Sequence, residues 1–131
     1  MLSVLIVDDD SAVRSAIVRS LERRGCQVAA AANGLEGLEA VRRQSFDVVI
    51  SDVNMPRRGG LWLREKALAL RPELRSRFLF ISAEPLPDRG GSLRLRPETL
   101  RFVLKPFLLA TLWSEVQKMV EPAERSRQRS A

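Results

Sequence analysis

Five reactive side chains stand where apolar runs stop. Asp8 and Asp9 end the run that begins at Leu2, Asp52 ends the run from Phe46 to Ser51, Ser82 closes the run that starts at Phe78, and Lys105 follows Phe102-Val103-Leu104. One aspartate at the end of a strand is ordinarily a turn or cap residue. Five such residues, each at a run's C-terminal end, form a pattern that turn chemistry does not explain. Three carboxylates brought together repel, by roughly 1 kcal/mol per pair about 4 Å apart in water and about 4 kcal/mol at an effective dielectric near 20. A raised pKa or a bound cation relieves this. Oxygen ligands suit a small hard ion, and Mg²⁺ characteristically takes one or two carboxylates, waters and phosphate oxygens. With a lysine as a mobile point charge and a hydroxyl donor, this is a set of parts for handling a phosphoryl group. Asp52 is the best placed nucleophile, standing alone ahead of the Pro/Gly-rich loop Asn54-Met55-Pro56-Arg57-Arg58-Gly59-Gly60.

The remaining composition closes off other chemistries. The 131 residues hold no histidine and a single cysteine, Cys26. Zinc, haem and iron–sulfur centres therefore lack ligands, and serine or cysteine triads lack their usual base. The net charge of +6 comes from 22 basic and 16 acidic residues, but 19 of the basic residues are arginines scattered along the whole chain. A dispersed, mixed-sign surface is a poor footprint for nucleic acid, which is not an expected partner. Charges interrupt every apolar stretch, so no membrane span is expected, and no signal peptide is recognisable at the N-terminus. Length and a 45% hydrophobic content fit one soluble domain, expected in the cytoplasm.

These residues need a scaffold, and the patterning supplies one. The run from Leu2 to Val7 reads as a strand buried on both faces. Ser11 then serves as an N-cap, Val13, Ile17 and Leu21 make a helical stripe, and Gly25 ends that helix. Asp10 reads as an acid favourable to the helix dipole rather than as a ligand. Cys26 to Ala31 predicts a second strand, and Asn33-Gly34 a turn into a helix packed by Leu35, Leu38 and Val41. Strand three covers Phe46 to Ser51, helix three Leu61 to Leu70, strand four Phe78 to Ser82 and strand five Phe102 to Leu104. A closing helix over Phe107 to Val120 presents Leu108, Leu112, Val116 and Met119 on one face. Where a fourth helix belongs, 84–100 carries Pro85, Pro87, Gly90, Gly91 and Pro97, so that helix is expected to be short or missing. The domain is expected to span 1–121, followed by a polar, disordered tail over 122–131.

Alternating strands and helices predict a doubly wound α/β fold with a five-stranded parallel sheet. Ligands bind such sheets outside the strands' carboxyl ends, where strand order reverses. With the order 2-1-3-4-5, the flavodoxin-like arrangement, that point lies between strands one and three and joins Asp8, Asp9 and Asp52.

The chain resembles the receiver domains of two-component response regulators. The resemblance is carried by Val7-Asp8-Asp9, by Asp52-Val53-Asn54-Met55-Pro56 with Gly60, by Ser82-Ala83, and by Phe102-Val103-Leu104-Lys105-Pro106-Phe107. It implies that Asp52 is the phosphoacceptor, charged by a sensor histidine kinase or a histidine phosphotransfer protein. Asp8, Asp9, Asp52 and the backbone carbonyl of Asn54 would hold Mg²⁺. Lys105 and Ser82 would bind the phosphoryl group, Ser82 and Phe102 would form the conformational switch, and the Lys105–Pro106 bond would be cis. Such a domain phosphorylates and dephosphorylates only itself, so it is not expected to be an enzyme in the ordinary sense, and it signals by contact with a protein target that the sequence does not identify. Plainer roles stay open for two residues: Ser82 as the cap of strand four, and Phe102 as a core aromatic. The chain departs from the family's pattern in Arg57-Arg58, where small or apolar residues are usual, and in the interrupted 84–100 stretch.

Rival functions are weaker. A haloacid-dehalogenase-type phosphatase needs Asp-x-Asp, but Asn54 stands at the second acid's position. No Gly-x-Gly-x-x-Gly or P-loop pattern is present for a nucleotide. A degenerate receiver acting as a phosphorylation-independent scaffold is the remaining alternative.

Overall fold

The computed structural model describes residues 1–83 and 100–130, with side chains as far as Val120. Its elements in order are β1 (Ser3–Val7), α1 (Ser11–Arg23), β2 (Gln27–Ala31), α2 (Gly34–Arg43), β3 (Val48–Asp52), α3 (Gly60–Leu70), a 3₁₀ turn (Pro72–Ser76), β4 (Phe78–Ser82), β5 (Arg101–Leu104) and α4 (Leu109–Ser130). The strands make one sheet in the order β2-β1-β3-β4-β5. Every pairing is parallel, with Val4 opposite Val48, Ser51 opposite Phe80 and Ser82 opposite Leu104. The predicted α/β fold and its strand order are therefore those of the molecule.

Period-two alternation divides the core into two layers. Val4, Ile6, Val48, Ile50, Leu79, Ile81 and Val103 face α1 and α4, meeting Ile17, Leu21, Leu112 and Val116. Leu5, Val7, Val49, Phe78 and Phe80 face α2 and α3, meeting Val41, Leu63 and Ala67. β3 and β4 are buried along their whole length, as strands covered on both faces must be.

Several local expectations need correction. Asp10, not Ser11, is the N-cap of α1: its Oδ1 accepts from the backbone N–H of Ala12 (2.9 Å) and Val13 (3.2 Å). Leu35 is 49% exposed, because the inward face of α2 is made by Gly34, Gly37 and Val41. A Cβ at Gly37 would lie 3.0 Å from Leu63 Cδ2 and 3.1 Å from Val7 Cγ2, so glycine lets the helix approach the sheet closely. Leu108 is 74% exposed because it precedes the first turn of α4, where its carbonyl accepts from Thr111 and Leu112. β3 begins at Val48, two residues later than expected, and α4 at Leu109. The backbone of α4 also continues past Pro122 to Ser130, through the span read as a disordered tail. Proline there forfeits one bond to the carbonyl of Lys118, and the Ala123-Glu124-Arg125 that follow are good helix formers. The short or missing helix expected in 84–100 falls almost wholly in 84–99, outside the described residues. Among the described residues, no helix is long and apolar enough to cross a membrane.

Candidate functional site

The side chains at the carboxyl ends of β1, β3 and β5 meet. By the alternation that sends Val4 and Ile6 towards α1, Asp8 points to that face, and so do Asp52 after Val48 and Ile50 and Lys105 after Val103. Ligand oxygens of Asp8, Asp9 and Asp52 lie within 4.8 Å of one another. Lys105 Nζ is 3.0 Å from Asp52 Oδ2 and 3.3 Å from Asp8 Oδ2, so a single ammonium bridges two carboxylates. Asp8 is fully buried and Asp52 nearly so, while Asp9 is exposed at the rim.

Asp8 and Asp52 are each held from their own strand ends. Asp8 Oδ1 accepts the Asp10 N–H at 2.9 Å, and Asp52 Oδ1 accepts the Asn54 N–H at 3.1 Å. Asp52 Oδ2 accepts from Lys105. Asp8 Oδ2 is different: buried, and at ion-pair distance from Lys105 without hydrogen-bond geometry, it has no hydrogen-bond partner among the described residues. An ionised oxygen in that state is costly, and a cation relieves it. Burial is the main cause pushing the Asp8 carboxyl above its ordinary value, with the Asp52 charge adding and the Asp10 and Lys105 contacts opposing. For Lys105, burial pulls the ammonium's pKa down, but the bond to Asp52 and the charges of Asp8 and Asp52 outweigh it and leave the net shift upward. Lysine thus stays charged, and three carboxylates face one ammonium.

This donor set fits a hard divalent ion. Metal–oxygen bonds of about 2.1 Å put opposite ligands of an octahedron about 4.2 Å apart, close to the observed spread. The orphaned Asp8 Oδ2 is the atom such an ion would satisfy.

The loop from β3 to α3 is pressed against this site by two glycines. A Cβ on Gly60 would lie 2.4 Å from the carbonyl oxygen of Asp52, and one on Gly59 2.4 Å from that of Val53. Arg57 and Arg58, just before these glycines, take the left-handed region at φ 54° and 80°. Arg58 is anchored: its carbonyl accepts from Gly34 N at 3.0 Å, and its guanidinium lies over the Trp62 ring at 5.4 Å.

The other singled-out residues stand on β4, β5 and the turn after it. Ser82 is buried at the end of β4, and its carbonyl accepts the Lys105 N–H at 2.7 Å. Its place opposite Leu104 puts it on the α2–α3 face of the sheet, with Phe80. Phe102 stands two residues back on that face and is 38% exposed. The Lys105–Pro106 peptide is cis. An apolar hollow of about 560 Å³ opens beside Lys105, lined by Val13, Ile17, Pro106, Phe107 and Leu109 among others. Sequence reasoning missed Arg14, whose Nη1 donates to the carbonyl oxygen of Asp8 at 2.7 Å. Its only sequence signal is its position in the first turn of the helix that follows the acidic pair.

An acidic cluster at the switch point of a 2-1-3-4-5 parallel sheet, closed by a lysine after the last strand, defines the CheY-like class of α/β domains. The chain belongs to the response regulator receiver domain family, which it matches over residues 4–117. It is 29% identical over 122 residues to the response regulator receiver protein CpdR of Brucella abortus (strain 2308), a match covering 92% of this chain and 98% of CpdR. It is 35% identical over 121 residues to the sensor kinase CckA of that strain, covering 91% of this chain but 12% of the kinase. The crystal structure of the receiver domain from hybrid histidine kinase CckA superposes with a TM-score of 0.73 at 32% identity, covering 90% of this chain and 98% of that one. The receiver domain of sensor histidine kinase PA1611 from Pseudomonas aeruginosa PAO1, with a magnesium ion coordinated in its active site cleft, shares the fold. Its TM-score is 0.78 at 23% identity, over 92% of this chain and 98% of that one.

Proposed function

We propose that the domain accepts a phosphoryl group on Asp52 from the phosphohistidine of a sensor histidine kinase or a histidine phosphotransfer protein. It would then signal by protein contact, acting in the cytoplasm. The observation that carries this reading is the bridge of Lys105 across Asp52 and Asp8 beside an orphaned, buried carboxylate oxygen. Asp8, Asp9, Asp52 and the main-chain carbonyl of Asn54 would hold Mg²⁺. When bound, the ion neutralises carboxylate charge and that of the incoming phosphoryl oxygens. The magnesium in the cleft of the PA1611 receiver supports that choice of ion.

The chain's own residues do the rest. The Asn54 N–H and the Lys105 ammonium fix both Asp52 oxygens, so the nucleophile is oriented before a donor arrives. An Asp52 oxygen forms the O–P bond as the donor's P–N bond breaks, and the electron pair returns to the imidazole nitrogen. The product acyl phosphate removes the Asp52 carboxylate charge, leaving Lys105 to pair with phosphoryl oxygens. Ser82 ends the adjacent strand and would turn its hydroxyl to one of those oxygens. Phe102, on the same sheet face and partly exposed, would swing inward as Ser82 moves. The phosphoryl group thereby biases two packings of one fold. The domain is the substrate of the transfer and catalyses no turnover on other molecules.

Incubation with Mg²⁺ and acetyl phosphate tests this reading by intact-mass spectrometry. A gain of about 80 Da, one PO₃H, that is abolished in Asp52→Asn is expected. No gain in the wild type would replace this reading with that of a phosphorylation-independent scaffold.

A further inference from the structure

Among the residues around the acidic cluster, Arg14 makes a contact that the reading above leaves unused. Its side chain reaches back from the first turn of α1, and Nη1 donates at 2.7 Å to the carbonyl oxygen of Asp8, six residues earlier. That carbonyl belongs to the residue carrying the orphaned oxygen. From the other side, Asp8 Oδ1 accepts the Asp10 N–H, and Asp10 in turn caps α1. The short segment from Asp8 to Asp10 is thus held at both ends by the helix that follows it. One end is fixed by the cap, the other by a charged, partly buried guanidinium.

We infer that Arg14 is a positioning residue for the cation site, acting through the main chain of Asp8. The inference rests on the proposed Mg²⁺-dependent function. A buried carboxylate oxygen that lacks a hydrogen bond turns away if its backbone can rotate, because rotation would bring it a hydrogen bond or water. Charge-assisted bonds to a carbonyl are among the stronger ones available, and this one opposes that rotation. The hold keeps Asp8 Oδ2 beside Lys105, where a divalent ion needs it. Arg14 also places a positive charge near the cluster, which by itself would weaken cation binding. The two effects have opposite signs, so experiment can separate them.

Isothermal titration calorimetry with MgCl₂, without any phosphodonor, on wild type, Arg14→Met and Arg14→Lys tests the assignment. Methionine keeps an apolar stem and loses both donor and charge; lysine keeps one donor and the charge. Loss of partners behind metal ligands typically costs about 10- to 100-fold in affinity, and Arg14→Met is expected near the lower end, about tenfold weaker. Arg14→Lys is expected to recover at least half of that loss on a logarithmic scale. A purely structural role would lower the melting temperature of Arg14→Met and leave its Mg²⁺ affinity unchanged, which overturns the inference. Tighter binding by Arg14→Met overturns it too, since charge repulsion would then be the dominant effect. If Arg14→Met does not fold, Arg14→Gln takes its place: about a tenfold loss of Mg²⁺ affinity supports the assignment, and unchanged or tighter binding overturns it. A wild type that binds no Mg²⁺ fails the functional reading itself, whereas wild-type binding with no response to Arg14→Met fails this inference alone.

Discussion

Replacing Asp8 by asparagine should stabilise the metal-free domain while destroying its cation site. Asp8 and Asp52 present oxygens no more than 4.8 Å apart, a repulsion of at least about 3.5 kcal/mol at an effective dielectric of about 20. Lys105 lies 3.3 Å from Asp8 Oδ2, an attraction of about 5 kcal/mol on the same scale, and exposed Asp9 adds a smaller, screened repulsion. These contributions nearly cancel, so the cost of keeping an unbonded, ionised oxygen fully buried decides the sign. Asparagine removes that cost, and Lys105 is not stranded, because Asp52 remains 3.0 Å away. A gain of about 1–2 kcal/mol is expected, or about 3–10 °C for a domain of this size. The acid side follows from the same raised pKa. Below the ordinary value of 3.8 the carboxyl is neutral in both states, and as pH rises through its higher folded value the metal-free protein loses stability. Scanning calorimetry at pH 7 in EDTA and again in 10 mM or so of MgCl₂ checks both halves, since a ligand at about 100 times its Kd adds about 2.7 kcal/mol. The wild type should melt higher with Mg²⁺, and Asp8→Asn should melt higher than wild type in EDTA and ignore the metal. A destabilised Asp8→Asn in EDTA, or one that still responds to Mg²⁺, refutes the electrostatic reasoning.

Other substitutions probe the scaffold around the site. Gly60→Ala puts a Cβ 2.4 Å from the Asp52 carbonyl oxygen, a backbone atom of a buried strand that cannot yield. It should cost about 2–3 kcal/mol by urea denaturation and lower the yield of phosphorylated Asp52. Arg57→Gly removes a non-glycine residue from φ 54° and should stabilise by about 0.5–1 kcal/mol in the same assay; destabilisation would mean that the Arg57 side chain has a structural role. The Cys26 thiol is buried, which pushes its pKa up, so it should react with a disulfide reagent at pH 8 far more slowly in the folded protein than in urea.

Much of this architecture is written locally in the chain. Apolar runs covered on both faces located β1 and β4 closely, and strand-end position alone singled out Asp8, Asp9, Asp52 and Lys105. That signal works because a parallel sheet aligns its carboxyl ends, turning separate positions into one cluster. What was not legible depended on backbone proximity. α2 turns Gly34 and Gly37 inward rather than Leu35, because close approach to Arg58 O and Val7 matters more there than hydrophobicity. Asp10 and Ser11 are both acceptable caps, and only the helix's start decides between them. Arg14 is invisible to motif reasoning because its partner is a main-chain oxygen, which carries no side-chain signature.

Anomalous scattering from Mn²⁺-soaked crystals addresses the heart of the account most directly, since manganese takes the same oxygen ligands as magnesium. One strong peak should appear among the carboxylates of Asp8, Asp9 and Asp52, in contact with Asp8 Oδ2, and vanish in Asp8→Asn. A fully folded crystal with no peak there at millimolar Mn²⁺, or with manganese seated elsewhere, would contradict it.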